Sequence, residues 1–195
     1  MLAVVFGTFA AYGFSRFKVP GEKDWLFFIL STRMLPPMAL VIPLYLMYSK
    51  LHLLDSRTGL IILYLAFNLS LSTWLMKGFI DEIPREYEEA AWVDGYTRLQ
   101  ALFKIVLPQA ANGIAATAVF CFIFTWNEYV FALILSPGGE FQTVAIFLPS
   151  LTSSGRVEWE AIAAGALLFL SPVVLLTFVL RKHLLRGITF GAIRK

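Results

Sequence analysis

The sequence predicts an all-α polytopic membrane protein, with about five transmembrane helices and one long polar loop between two of them. Hydrophobic residues make up 58% of the 195 residues and charged residues only 15%, against about 25% charged in a typical soluble domain. The mean hydropathy is +0.74. The apolar residues fall into five runs without an internal repeat, so we treat 1–195 as a single transmembrane domain.

The length of each apolar run decides whether it can cross a membrane. A helix needs about 20 residues to cross a hydrocarbon core of about 30 Å. Four runs reach that length, at 25–48, 59–78, 106–135 and 161–180. The first run, 1–14, is too short and lacks the features of a signal peptide. We expect it to be the end of a span whose beginning is missing.

The longest polar segment, 81–108, predicts two short helices joined by a turn. Pro84 suits the first turn of a helix, and the glutamates that follow it favour the positive end of the helix dipole. Gly95 is a natural left-handed cap that ends this helix. Thr97 and Gln100 have the spacing of a capping box, which predicts the start of a second short helix.

The distribution of positive charge predicts the orientation of the chain. Twelve of the sixteen Lys and Arg residues lie in alternate connections and in the C-terminal tail, and three lie in the remaining two connections. Lys and Arg are enriched on the cytoplasmic side of membrane proteins. We therefore expect the 81–108 loop and the C-terminus to be cytoplasmic.

Seven positions of the polar loop carry a resemblance to a known family. They have the fixed spacing Glu89, Ala90, Ala91, Gly95, Ile105, Leu107 and Pro108. This pattern resembles the EAA loop of type I binding-protein-dependent ABC importer permeases. The resemblance implies a coupling helix that docks on a cytoplasmic ATPase subunit, with Asp94 on the same helix face as Ala90 and Ala91. The alternative is a solvated loop that contains Glu-Ala-Ala by chance.

Other segments extend the resemblance over nearly the whole chain. Residues 10–17, 42–45, 126–128 and 187–195 are similar to the carbohydrate subgroup, in particular to the maltose-system permease subunit. Members of the family usually have six spans. The resemblance therefore implies an apparent N-terminal truncation, in which a first span, an external loop and part of the second span are missing. A truncated gene, a misplaced start codon and a fragment are all open as its origin.

The resemblance implies a transport subunit in the cell (inner) membrane, not an enzyme. It would translocate a mono- or oligosaccharide by alternating access, together with a dimer of ABC ATPase subunits, a second homologous permease and an extracytoplasmic solute-binding protein. The external segment 136–159 is a candidate contact for that binding protein, or a packing loop. ATP and Mg would be bound by the ATPase, so no cofactor, metal or catalytic residue is expected here. The net charge of +3 is too small to suggest nucleic acid.

Three polar residues form a stripe on the third apolar run. Tyr64, Asn68 and Ser72 recur at i, i+4 and i+8, which places them on one face of a helix. They are candidates for the substrate path, because hydroxyl and amide groups suit sugar hydroxyls. Polar residues are equally common as contacts between membrane helices, and the sequence leaves both interpretations open.

Three further residues are candidates for the substrate path. Arg33 lies about 12 Å into the second run at 1.5 Å per residue, where a charge is costly and usually functional. The alternative is that Arg33 snorkels back to the membrane surface. Asn127 and Glu128 lie near the outer end of the fourth run, where Glu128 either lines the cavity, pairs with another polar group or faces headgroups.

Three other function classes are alternatives: an intramembrane enzyme, a permease for another solute and an assembly subunit. An intramembrane enzyme is disfavoured, because the sequence contains neither Gly-x-Ser-x-Gly nor His-Glu-x-x-His. A Walker A sequence is also missing, so ATP would be hydrolysed elsewhere. An importer permease for a non-sugar solute and a truncated, non-transporting assembly subunit both share the coupling loop and stay open.

Overall fold

The computed structural model describes residues 1–136, 141–151 and 159–190, with side chains described up to residue 181. Every regular element in these ranges is helical, which confirms the all-α prediction. The α-helices are α1 (Leu2–Arg16), α2 (Glu22–Ser31), α3 (Pro37–Lys50), α4 (Arg57–Asp81), α5 (Glu86–Val93), α6 (Arg98–Ala101), α7 (Leu107–Gln109), α8 (Ala111–Trp126), α9 (Val130–Leu135), α10 (Val144–Ser150) and α11 (Trp159–Phe190). A 3-10 turn spans Thr32–Met34 and a π-helical turn spans Leu102–Val106.

Two helices in the described ranges are long and apolar enough to cross a membrane. They are α4, with 25 residues, and the Trp159–Arg181 part of α11, with 23 residues. Two bent pairs would raise the number to four if each pair is one broken span: Glu22–Met34 with Pro37–Lys50, and Arg98–Gln109 with Ala111–Trp126. The described part of the chain therefore offers two to four candidate spans, where the sequence predicts about five.

The second apolar run contains a sharp bend at its prolines. The axes before and after the break differ by 90°, and Leu35 has an extended backbone with ψ of 129°. A residue that precedes proline is pushed out of the helical region, which applies to Leu35 and again to Pro36. Pro43 lies inside the continuous helix α3. The break in this run therefore falls at Pro36 and Pro37.

The fourth apolar run, predicted as one span over 106–135, is divided by the structure. Ala110 separates α7 from α8, and the helix pair on either side of it is bent by 74°. A second break between α8 and α9 includes Asn127 and Glu128. The second break turns the chain so that α9 packs beside α3 and α4.

Helix α4 connects the two hydrophobic clusters of the described chain. One cluster lies near its C-terminal end and includes Met76 and Ile80 with Tyr12 of α1. The other lies near its N-terminal end and includes Leu60 and Leu63, together with side chains of α3, α9 and α10. Because Leu60 and Met76 are about 24 Å apart along a helix, α4 links structure at both ends of the membrane-spanning part.

Close packing of α1 on α4 depends on the absence of a side chain at Gly7. A Cβ atom at this position would lie 2.3 Å from Ser72 Oγ and 3.0 Å from the Ser72 carbonyl carbon. Small residues let membrane helices approach each other in this way. Gly13, on the same helix, has nothing within 4 Å of its Cβ position.

Replacing Gly7 by alanine should lower the melting temperature of the detergent-purified chain. The added methyl group collides with Ser72 backbone as well as side chain, and overpacking of this kind costs about 1–3 kcal/mol. The control Gly13→Ala should melt at the wild-type temperature or above it, because alanine is favoured over glycine within a helix by roughly 0.5–1 kcal/mol. Equal melting of the two variants would show that α1 and α4 are not in this contact.

Candidate functional site

The polar segment 81–108 forms the short helices α5 and α6, as the sequence predicts. Helix α5 begins at Glu86 with Arg85 as its N-cap. Pro84 therefore precedes the helix rather than lying in its first turn, which corrects the prediction. The π-helical turn Leu102–Val106 and α7 then lead into α8. No pattern in the sequence predicts the π-helical turn.

The turn between α5 and α6 is fixed by hydrogen bonds at both helix ends. Gly95 has φ of +85°, its N–H donates to the carbonyl of Trp92 at 3.1 Å, and the N–H of Tyr96 donates to that of Ala91 at 2.9 Å. These two bonds are those of a Schellman motif. On the other side, Thr97 and Gln100 form the predicted capping box, with both reciprocal bonds present. The angle between the two helices is therefore set by local backbone chemistry.

The residues of the predicted coupling motif do not share a single surface. Ala91 is buried, and Ile105 and Leu107 are half-buried in the interior side of the segment. The remaining members are exposed: Glu89, Ala90, Asp94, Gly95 and Pro108. The inward members hold the segment on the helices below it, while the outward members are accessible to a partner.

Large apolar side chains accompany the exposed motif residues. Val93 is 89% exposed and Leu99 65% exposed, and Phe103 is also exposed. Val93 lies outside every candidate span, whereas Leu99 and Phe103 lie in Arg98–Gln109, which belongs to a span only if it is joined to Ala111–Trp126 as one broken helix. Exposed apolar residues with a polar rim mark interaction surfaces. We call Val93, Leu99 and Phe103 the outward apolar set.

Glu88 is buried on the inner side of α5, with a relative exposure of 1%. Its Oε2 atom accepts a hydrogen bond from the Tyr12 hydroxyl at 2.8 Å, and its Oε1 atom accepts one from Arg16 Nε. Sequence analysis missed this role, because it grouped Glu88 with the glutamates that favour the helix dipole. Its spacing of three from the buried Ala91 is the signal that places both on one helix face.

Arg16 also joins the end of α1 to the connection between α4 and α5. Its Nη2 atom donates to the carbonyl of Ile83 at 2.8 Å. Beside it, Ser15 Oγ donates to Asp81 Oδ1 at 2.6 Å, and Arg85 Nη2 donates to the Ser15 carbonyl at 2.5 Å. A cleft of about 560 Å³ opens next to these contacts. The last turn of α1 is thus bound to α4, to α5 and to the residues between them.

The polar stripe on α4 contacts α1, α8 and the break between α8 and α9. Tyr64 donates from its hydroxyl to Glu128 Oε2 at 3.1 Å. Asn68 Nδ2 donates to Thr125 Oγ1 of α8 at 2.9 Å, and Asn68 Oδ1 is buried without a partner among the described residues. Ser72 is buried against Gly7 of α1. These contacts are those of the helix–helix interpretation, and substrate contact by the three residues stays a prediction.

Glu128 and Asn127 lie at the break between α8 and α9. Besides its bond from Tyr64, Glu128 accepts the backbone N–H groups of Phe131 at 2.9 Å and Ala132 at 3.0 Å. These are orphan donors of the first turn of α9, so the carboxylate caps that helix. Asn127 is exposed, and its Nδ2 atom donates to the carbonyl of Ile123. A role of either residue in the path stays a prediction.

The Arg33 side chain contacts the middle of α4 rather than the C-terminal end of that helix. Its Nη1 atom donates to the carbonyl of Phe67 at 3.0 Å, and its Cζ atom lies 4.3 Å from the ring centroid of Phe124. Phe67 precedes Asp81 by 14 residues, which is about 21 Å of helix. The guanidinium group therefore does not snorkel towards Asp81. Its contact with substrate also remains a prediction.

Parts of two predictions lie outside the described residues. They concern residues 137–140 and 152–158 of the external segment and residues 191–195 of the C-terminal motif. Within the described ranges, no group of three or more His, Cys, Asp or Glu residues is arranged to hold a metal ion.

Residues 3–190 match the family described as the binding-protein-dependent transport system inner membrane component. The chain belongs to this family. It is therefore a multi-pass inner-membrane permease of the ABC importer type and not an enzyme. Permeases of this family bind no cofactor themselves, since nucleotide is bound by the ATPase partner.

Individual relatives agree with the family. The chain is 37% identical over 166 residues to the probable ABC transporter permease protein y4oR of Sinorhizobium fredii, covering 85% of this chain and 60% of that protein. It is 34% identical to the trehalose transport system permease protein SugB of Mycobacterium tuberculosis, covering 100% of this chain and 72% of SugB. It is also 34% identical to the maltodextrin transport system permease protein MdxG of Bacillus subtilis, covering 98% and 69%.

A solved structure has the same fold. The crystal structure of a bacterial ABC transporter involved in import of the acidic polysaccharide alginate matches with a TM-score of 0.69 and 28% identity. The match covers 92% of this chain and 70% of that chain. This chain thus spans about 60% to 72% of the length of these relatives.

Because Gly95 has a left-handed backbone, the effect of a substitution there should depend on whether the new residue tolerates that conformation, and not on its size. Asn adopts this conformation at low cost, whereas a β-branched residue is strained there by about 1–2 kcal/mol. Gly95→Asn should keep hydrogen-exchange protection of the Gly95 and Tyr96 amides, and Gly95→Val should lose it. Equal protection in the two variants would contradict the Schellman geometry.

Proposed function

We propose that this chain is the sugar-translocating permease subunit of an ABC importer. It moves a mono- or oligosaccharide across the cytoplasmic membrane by alternating access, driven by a separate pair of ATPase subunits. The observation that carries the proposal is the coupling motif, which lies on an exposed and locally fixed helix–turn–helix beside the outward apolar set. Named relatives that transport trehalose and maltodextrin support a sugar as substrate.

The segment 81–108 and the C-terminus lie on the cytoplasmic side in this proposal. The bias of Lys and Arg between alternate connections supports this orientation. The ATPase then meets α5 and α6 from the cytoplasm. The outward apolar set enters its surface, while Glu89 and Asp94 provide charges at the rim of the contact.

Lipid and a second homologous permease cover the exposed apolar sides of the long helices. An apolar stretch of 18 residues within Trp159–Arg181 has none of its residues buried within this chain. Leu167, Leu168 and Val174 illustrate this exposure. A helix that is apolar all round needs an apolar environment. A solute-binding protein docks on the external segment 136–159 at the opposite end of the chain, where Ser136 Oγ donates to Asp55 Oδ1.

The substrate path contains both the predicted polar residues and aromatic rings. The Trp126 ring stacks on Phe122 at 5.4 Å and on Phe169 at 5.7 Å between centroids. Aromatic faces pack against the apolar faces of sugar rings, while Asn127, Glu128 and Arg33 offer hydrogen bonds to hydroxyl groups. Helix α4 contributes further hydrogen-bonding groups from Tyr64, Asn68 and Ser72, which become available when the helix contacts described above change during transport.

Co-purification with the ATPase tests the docking part of the proposal. The tagged chain is expressed with its candidate ATPase, partner permease and binding protein, and the complex is isolated in detergent. The native chain should retain the ATPase, and Glu89→Lys should retain at least tenfold less, because it reverses a charge on the exposed side of α5. Asp24→Lys is the matched control, since it reverses an exposed acidic charge on α2 instead.

The same complex in proteoliposomes tests the substrate class. A sugar-loaded binding protein should stimulate ATP hydrolysis and sugar uptake by the native complex. Stimulation by a phosphate- or amino-acid-loaded binding protein, and not by a sugar-loaded one, would replace the sugar by another solute. ATPase retention without uptake of any solute would indicate an assembly subunit. No retention of the ATPase by the native chain would contradict the coupling role itself.

A further inference from the structure

We propose that Glu88, Arg16 and Tyr12 form a buried strut that makes α5 and α1 move as one body. The strut would pass each displacement of the coupling segment directly into the membrane part of the chain. The three side chains are positioning residues, since they act through the helices that carry them. The inference rests on the proposed function, and it adds the route by which movement leaves the docking surface.

The three side chains of the strut are buried by the chain itself. The Glu88 side chain is 1% exposed and the Arg16 side chain 6% exposed, and Tyr12 is also buried. Both carboxylate oxygens of Glu88 are occupied, one by the Tyr12 hydroxyl and one by Arg16 Nε. Two hydrogen bonds from one helix restrict the position of the carboxylate relative to that helix.

The strut joins elements that are far apart along the chain. Glu88 is separated from Arg16 by 72 residues and from Tyr12 by 76. Without it, α5 is connected to α1 through the bond from Arg85 at its N-cap to the Ser15 carbonyl. Its other connections are the short links at its two ends and the packing of Ala91. With it, the helix that carries the docking motif is bonded to α1 across its inner face.

An ion pair makes two helices move together more effectively than apolar contact does. Apolar surfaces slide over each other at small cost, because the hydrophobic effect is not directional. Pulling a buried carboxylate from its guanidinium partner leaves an uncompensated charge in a low-dielectric interior, which is strongly unfavourable. Helix α1 therefore follows α5 rather than separating from it.

Movement of α1 then reaches the polar stripe in the membrane. Gly7 of α1 packs directly against Ser72 of α4, one turn from Asn68. Arg16 also donates to the Ile83 carbonyl after α4, and Ser15 donates to Asp81, the last residue of α4, so the end of α4 moves with the same body. The strut thus lies between the outward docking side of α5 and the helices that carry the path candidates.

Uptake per ATP hydrolysed is the measurement that tests the strut. The complete complex with ATPase, partner permease and binding protein is reconstituted with Glu88→Gln, which keeps the shape of the side chain and removes its charge. Its matched control is Glu86→Gln, an exposed residue in the first turn of the same helix. We expect Glu88→Gln to hydrolyse ATP with at least fivefold less uptake per ATP, and Glu86→Gln to keep the native ratio.

Two further variants separate coupling from folding. Tyr12→Phe removes one hydroxyl group and should lower the ratio about twofold without loss of assembled complex. The double variant Arg16→Glu with Glu88→Arg restores an ion pair and should recover part of the ratio that each single change loses. A fall in the amount of complex at an unchanged ratio is what a purely structural role would give.

The outcomes distinguish the strut from the proposed function. A native ratio in Glu88→Gln overturns the strut, and if that variant does not assemble, a native ratio in Tyr12→Phe overturns it. If the native complex itself neither retains ATPase nor takes up solute, the proposed function fails, and the strut fails with it.

Discussion

The architecture depends on the enclosed carboxylate of Glu88. Burying a charged side chain costs several kcal/mol unless partners compensate it, and here the compensation comes from Arg16 and Tyr12 of another helix. This requirement fixes which side of α5 faces the membrane helices. It therefore also fixes which residues face outward, so the exposure of Glu89 and Val93 follows from the burial of Glu88.

The membrane imposes a second constraint, which α4 satisfies along its length. Polar side chains within an apolar environment need partners from neighbouring helices. Tyr64 meets Glu128 and Asn68 meets Thr125, so the polar stripe also defines how α8 and α9 pack on α4. Such contacts hold one arrangement of the helices. In the proposed function, substrate or a moving α1 replaces them with another arrangement during alternating access.

The sequence was sufficient for features with local causes. Gly95 and the pair Thr97 and Gln100 are set by backbone chemistry within a few residues, and the structure confirms both caps. The burial of Glu88 depends on Arg16, 72 residues away, and no local pattern reveals that partner. The break beside Glu128 is similar, because its carboxylate caps α9 while it pairs with Tyr64 of a distant helix. From apolar composition alone, residues 106–135 are predicted as one continuous span, so this break is not predicted.

The most direct test of the account is a distance within the working complex. Cys121 is replaced by serine, and spin labels are attached at Glu86 of α5 and at the exposed Phe6 of α1. The label distance is then measured by pulsed electron resonance in nucleotide-free and ATP-bound complexes. The account predicts the same distance in both states, with a change only when Glu88→Gln is introduced. If the distance changes between the nucleotide-free and ATP-bound states while Glu88 is present, α5 moves independently of α1.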